Sequence, residues 1–147
     1  ADLGCGTGHA VNLMAREYPA SDFVGYDFGE DAIERARAEA RAMGADIVIV
    51  DIRDPREIER EGKIPGAFSC TRGMLEFWID PESPYAKAIF QEDKKFIFHC
   101  AGGLRSALAA KTAQDMGLKP VAHMGGGFAA WRDAGGPIEK WEPKKKG

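Results

Sequence analysis

Cysteine is scarce in this chain: three residues in 147, at positions 5, 70 and 100. An odd number at such wide spacing supplies neither a disulfide framework nor the paired ligands of a zinc site, so no metal is expected. It fits a reducing, cytoplasmic setting. Charge of one sign is scarce too. A net charge of −3 offers no broad attraction for nucleic acid or an anionic membrane. The run Lys144-Lys145-Lys146 reads as a short solvated tail. No apolar run approaches the ~20 residues that span a membrane, no secretory signal pattern opens the sequence, and there is no repeat or low-complexity tract. What remains is 44% hydrophobic and 29% charged, the composition of a globular unit large enough for a real core.

The most informative stretch is Phe96-Ile97-Phe98-His99-Cys100-Ala101-Gly102-Gly103-Leu104-Arg105-Ser106, continuing through Ala110. A short apolar run suits a buried strand. It breaks at a cysteine and two glycines, then becomes an Ala- and Leu-rich helical pattern that ends at Gly117, a C′ residue. One thiol thus sits at a strand tip, on a tight loop, at the start of a helix. A helix N-terminus presents unpaired N–H groups and the positive end of the macrodipole. A glycine-rich loop can turn successive amides inward as an anion nest. Both favour thiolate over thiol, Arg105 adds positive charge nearby, and Cys100 is expected to be nucleophilic. The competing reading is a small cysteine that only packs.

Cys100-x-x-Gly103-x-Arg105 resembles the active-site loop of the rhodanese family of sulfurtransferases. Three further blocks resemble the same family in the same order. Asp51-Ile52-Arg53 follows an apolar run. Glu61-Gly62-Lys63-Ile64-Pro65-Gly66-Ala67 matches a Gly-His-Ile-Pro-Gly-Ala segment, with Lys63 where the family usually has His. Gly125-Gly126-Gly127-Phe128-Ala129-Ala130-Trp131 leads on to Gly136-Pro137-Ile138. Together they cover about residues 46–139.

Four residues separate Cys100 from Arg105. Related phosphatases and arsenate reductases have five there, sized for a tetrahedral oxyanion, and the shorter ring suits one sulfur atom. The resemblance therefore implies a Cys100 persulfide, loaded from thiosulfate or a similar sulfane donor and discharged to cyanide or a thiol, with no cofactor needed. The amides of Ala101, Gly102, Gly103, Leu104 and Arg105 would form the cradle. The Arg105 side chain either orients the loop or meets an anionic donor, and a loop-closing salt bridge with a carboxylate is the alternative to direct contact.

Elsewhere, Ile47 to Ile52 reads as a central parallel strand buried on both faces. Asp51 and Arg53 are expected to pair beneath the loop as support. A short charged helix is predicted over 55–61 and another over Tyr85–Phe90. Arg72, beside Met74, Leu75, Phe77 and Trp78, is a candidate to face the thiol, with an exposed surface position as the alternative. Nothing in the sequence brings Cys70 beside Cys100. His99 and His123 are read as structural, because an ionised thiol needs no separate base. Val121–Met124 is the last strand. The glycines after it mark backbone that passes close to another element, with the Cys100 loop as the candidate, and Trp131 anchors the final helix.

Residues 1–44 carry a second pattern. Asp2-Leu3-Gly4-Cys5-Gly6-Thr7-Gly8 reads as a strand end, a glycine loop and a helix start, and Asp27 ends a second strand. This resembles the first motif of class I S-adenosylmethionine-dependent methyltransferases. The resemblance implies that Gly4, Gly6 and Gly8 approach a cofactor and that Asp27 binds its ribose hydroxyls. It stops near residue 43, and half a site cannot enclose a ligand, so a remnant without cofactor binding is the competing reading. The expected fold is α/β: a small parallel sheet flanked by helices over 45–141, a Rossmann-like β-α-β-α segment over 1–44, and a basic tail over 142–147. The alternatives to a sulfurtransferase are an S-adenosylmethionine-binding methyltransferase fragment and a non-catalytic binding module.

Overall fold

The computed structural model describes residues 46–143. The predicted 1–44 segment, with Asp2, Gly4, Gly6, Gly8 and Asp27, lies outside the described residues, as do Lys144, Lys145 and Lys146.

The strand predicted from Ile47 forms β1, Asp46–Asp51. Its β-branched residues fit a pleated surface covered on both sides. It pairs in parallel with β2, Phe68–Ser69, on one edge and with β3, Lys94–His99, on the other. β4, Val121–His123, adds to β3, giving the order β2-β1-β3-β4. Parallel neighbours require crossovers. These contain α1 (Pro55–Glu61), α2 (Leu75–Ile79) and α3 (Leu104–Asp115), and α4 (Gly127–Asp133) follows β4.

Side chains alternate across the sheet, and each face has its own core. Val48, Val50, Ile52, Phe96 and Phe98 meet Leu75 and Ile79 of α2 and Ala109, Ala110 and Ala113 of α3. The three alanines let α3 lie close against the large β3 side chains. Phe96 and Phe98 are fully buried, each stabilising by about 1.5–3 kcal/mol. Ile49, Ile97 and Ala122 meet Phe128 and Trp131 of α4 on the opposite face. α3 stops as expected: Gly117 takes φ +94°, and its N–H donates to Gln114 O.

The helix predicted over Tyr85–Phe90 is replaced by a 3₁₀ turn at Ala88–Gln91. Ser83 explains the difference. Its hydroxyl accepts the Tyr85 N–H at 3.1 Å, and its carbonyl accepts that of Ala86, which diverts the backbone groups a helix would use. No helix among the described residues is long and apolar enough to cross a membrane.

Candidate active site

β3 ends in the apolar run Phe96-Ile97-Phe98 and the buried His99. The chain then leaves the sheet at Cys100, and Gly103 at φ +101° turns it into α3. That left-handed conformation suits glycine. The turn brings the Gly103 N–H back over the thiol, donating to Cys100 Sγ at 3.1 Å. Ser106, in the first turn of α3, places Oγ 3.6 Å from the same sulfur. The Ser106 hydroxyl also lies 3.1 Å from Gly103 O and 3.4 Å from His123 Nδ1. Burial of Cys100 raises its thiol pKa. Hydrogen bonds from the Ser106 hydroxyl and N–H, then from the Gly103 and Gly102 amides, outweigh burial, so the net shift is downward. The Gly102, Gly103 and Ser106 amides thus face the sulfur.

The loop rests on the start of α4. The N–H groups of Phe128 and Ala129 donate to Cys100 O and Ala101 O at 2.8 and 3.1 Å. Gly127 has φ +58°, and a Cβ there would lie 2.6 Å from both carbonyl oxygens. Only glycine fits that crossing. The sequence expected close backbone passage after β4, and the element it meets is the Cys100 loop.

Asp51 and Arg53 lie wholly buried at the end of β1. Arg53 Nε and its Nη2 donate to the two Asp51 carboxylate oxygens at 3.0 and 2.7 Å, and Nη2 also reaches Gly62 O at 2.8 Å. The guanidinium stacks 4.0 Å over the Phe128 ring, the residue whose N–H holds Cys100 O. His99 Nε2 sits 3.5 Å from Asp51 Oδ2. Burial keeps this imidazole below its ordinary range, against the opposing pull of Asp51. The network thus joins β1, α1 and α4 beneath the loop.

Arg105 is held chiefly by Glu57, while its guanidinium also interacts with the Cys100 sulfur. Its guanidinium binds both carboxylate oxygens of Glu57 at 2.8 and 2.9 Å. Hydrogen bonding from Arg105 holds the Glu57 carboxyl down to about 2. Glu57 is itself fixed: its Oε2 accepts the Asp54 N–H at 2.9 Å in a capping box at the start of α1. Of the alternatives open for Arg105, the structure shows the salt bridge with a carboxylate, that of Glu57. Arg72 binds Glu76 at 2.6 Å and lies 3.4 Å from Thr112 Oγ1. Thr112 is about two turns along α3 from the loop, so the Arg72 guanidinium is engaged away from the thiol. Lys63, where the resembling motif carries His, donates to Ala67 O at 2.6 Å and closes its own turn.

Cys70 follows Ser69, and Cys100 follows His99. Both of those residues pair with Asp51, on opposite edges of β1. The two cysteines are therefore about two strand spacings apart, roughly 10 Å, beyond disulfide reach without backbone movement. Both are free.

Two residues of this site were not singled out from the sequence. Ser106 carried a signal, since a first-turn side chain of a helix points back toward the preceding loop. Glu57 carried another, the Asp-x-x-Glu spacing of a capping box. No group of three or more His, Cys, Asp or Glu able to hold a metal occurs among the described residues.

A family model described as "Rhodanese-like domain" matches residues 34–134. Among curated proteins, "Thiosulfate sulfurtransferase/rhodanese-like domain-containing protein 3" of Mus musculus is 29% identical over 91 residues, covering 58% of each chain. The chain thus spans little more than half of that relative's length. Among solved structures, a protein of unknown function from Rhodopseudomonas palustris CGA009, described as a possible tyrosine phosphatase, is 67% identical. The alignment covers 88% of this chain and 93% of that one, with a TM-score of 0.67. A rhodanese-related protein from Thermoplasma volcanium is 25% identical, covering 71% and 95%, with a TM-score of 0.54.

Proposed function

The chain belongs to the rhodanese-like family, and on that premise we propose that it is a sulfurtransferase carrying sulfane sulfur as a persulfide on Cys100. The observation that carries this reading is the thiol at a strand tip with the Gly103 amide and the Ser106 hydroxyl converging on its sulfur. Donors fixed before reaction stabilise developing charge without reorganising. They support the thiolate first and, after transfer, the charge on the outer sulfur.

In the first half-reaction the Cys100 thiolate attacks the outer sulfur of thiosulfate. A new S–S bond forms at Cys100, the donor's S–S bond breaks, and sulfite leaves with its electron pair. In the second, cyanide or a thiolate attacks the outer sulfur of the persulfide. Thiocyanate or a new persulfide departs, and the Cys100 thiolate is regenerated. Two displacements with a covalent intermediate replace one harder transfer. Arg105, held by Glu57, serves to brace the loop. No cofactor takes part.

The description of the R. palustris relative favours a second reading, phosphoryl transfer to the same cysteine. The ring of four residues between Cys100 and Arg105 and the engagement of the guanidinium by Glu57 argue against it. A non-catalytic binding module is the third possibility, and it has no use for an activated thiol. One experiment separates them. The protein is treated with thiosulfate and its mass measured, with p-nitrophenyl phosphate turnover assayed in parallel. The expected result is a gain of one sulfur atom on the Cys100 peptide, removed by cyanide and absent in Cys100→Ser. Phosphatase turnover without sulfur loading supports the second reading, and neither activity supports the third.

A further inference from the structure

The Ser106 hydroxyl has one proton and three acceptors within reach. These are Gly103 O at 3.1 Å, His123 Nδ1 at 3.4 Å and Cys100 Sγ at 3.6 Å. It supports the thiolate only when that proton points at sulfur. Gly103 O, which also accepts the Ala107 N–H at 3.2 Å, still has a lone pair for the hydroxyl, so carbonyl and imidazole both compete with sulfur, and of the two only the imidazole can change from acceptor to donor. If Nδ1 lacks a proton it competes with sulfur for the hydroxyl. If Nδ1 carries the proton it donates to Ser106 Oγ, ceases to compete, and polarises the O–H.

We propose that His123 is a positioning residue that donates through Nδ1–H to Ser106 Oγ and thereby turns the Ser106 hydroxyl onto the Cys100 thiolate. All three side chains are buried, so solvent does not take over the role. β4 fixes His123 by pairing with β3, Phe98 opposite His123, two residues before Cys100. α3 fixes Ser106 from its first turn. The Cys–Ser–His line thus spans β3, α3 and β4, three consecutive elements that meet at one end of the sheet. Burial keeps the imidazole neutral, pushing it down to about 4, which suits a hydrogen-bond donor that adds no charge. The inference rests on the reading of Cys100 as the nucleophile.

The test is the pH dependence of iodoacetamide alkylation at Cys100, read by peptide mass, in a double-mutant cycle on the full chain. Ser106→Ala is expected to raise the apparent thiol pKa by about one unit, the size of a lost hydrogen bond to a charged group. His123→Phe is expected to raise it by about half a unit in the Ser106 background and by nothing in the Ser106→Ala background, because the histidine acts through the serine. His123→Asn, which keeps an N–H near the Nδ1 position, is expected to restore most of the shift and keeps the test decisive if the Phe variant folds poorly. The proposal is overturned if His123→Phe leaves the thiol pKa unchanged, or if its effect persists without Ser106. Sulfur loading of the wild type is scored separately. Loading without coupling removes only this inference, and coupling without loading removes only the sulfurtransferase reading.

Discussion

Two cysteines flank the end of β1, one on each side, and their sulfurs meet opposite fates. Cys70 and Cys100 are equally buried. Burial raises the Cys70 thiol to about 12, and the nearby Glu76 charge adds to it, with only partial relief from Arg72. Its sulfur has a carbonyl, Thr71 O, at 4.0 Å. Burial also raises Cys100, yet the Ser106 and glycine donors reverse the sign. Depth and residue type are shared, so neither makes a thiol reactive. The direction of the surrounding N–H and O–H groups decides it, and that direction depends on a left-handed glycine and a helix start.

The sharpest way to break the contrast is to remove each sulfur. Cys100→Ser should abolish sulfur loading and thiocyanate formation, whereas Cys70→Ala should keep both within about twofold and cost about 1 kcal/mol of stability from the small cavity. A comparable loss in both variants would mean that the two sites are not distinct. Alkylation should separate them along the pH axis. Cys100 should react with a midpoint below the ordinary 9.0, and Cys70 only as pH approaches 12.

The next perturbation removes the support and leaves the sulfur. Gly127→Ala drives a Cβ against Cys100 O and Ala101 O at a positive φ, so it should destabilise by roughly 3 kcal/mol or more. Any folded fraction should show a Cys100 thiol with a raised pKa. Normal reactivity at normal melting temperature would contradict the packing described.

Arg53→Met should destabilise by about 3–5 kcal/mol in denaturant unfolding, because it leaves the Asp51 carboxylate buried without its partner. Asp51 lies beside His99 on the Cys100 side, so the Cys100 loop should loosen more than the Cys70 site in hydrogen exchange.

The smallest effect is expected at Glu57. Its carboxyl is depressed from 4.5 to about 2 by Arg105, so it contributes stability that is present above pH 4.5 and lost as pH falls toward 2. The pair is partly exposed, which limits the contribution to about 1 kcal/mol or less. Glu57→Gln should flatten that part of the stability–pH profile. It should also free Arg105, and a raised kcat/KM for thiosulfate that falls with salt would show the guanidinium meeting the anionic donor.

Local pattern was enough for much of this protein. The β-branched run at Ile47–Val50 marked a strand covered on both faces, the break from Phe96–Phe98 through Gly102-Gly103 to Leu104 marked a strand–loop–helix with a thiol at its tip, and Gly117 marked the helix end. Each signal lies within a few residues of the structure it specifies, because propensity, φ restriction and side-chain period act at short range. What tertiary structure alone decided is which distant groups meet. Glu57 and Arg105 are 48 positions apart in the chain, Ser106 and His123 are 17 apart, and Gly127 fits only because the Cys100 loop passes 2.6 Å from where its Cβ would stand. Such pairings follow from the order in which parallel strands assemble, and that order is set by the packing of both faces at once rather than by any single stretch. The two cysteines divide along the same line: the donors to Cys100 lie within six residues of it and were legible in its loop, whereas the place of Cys70 across β1 came only from strand order.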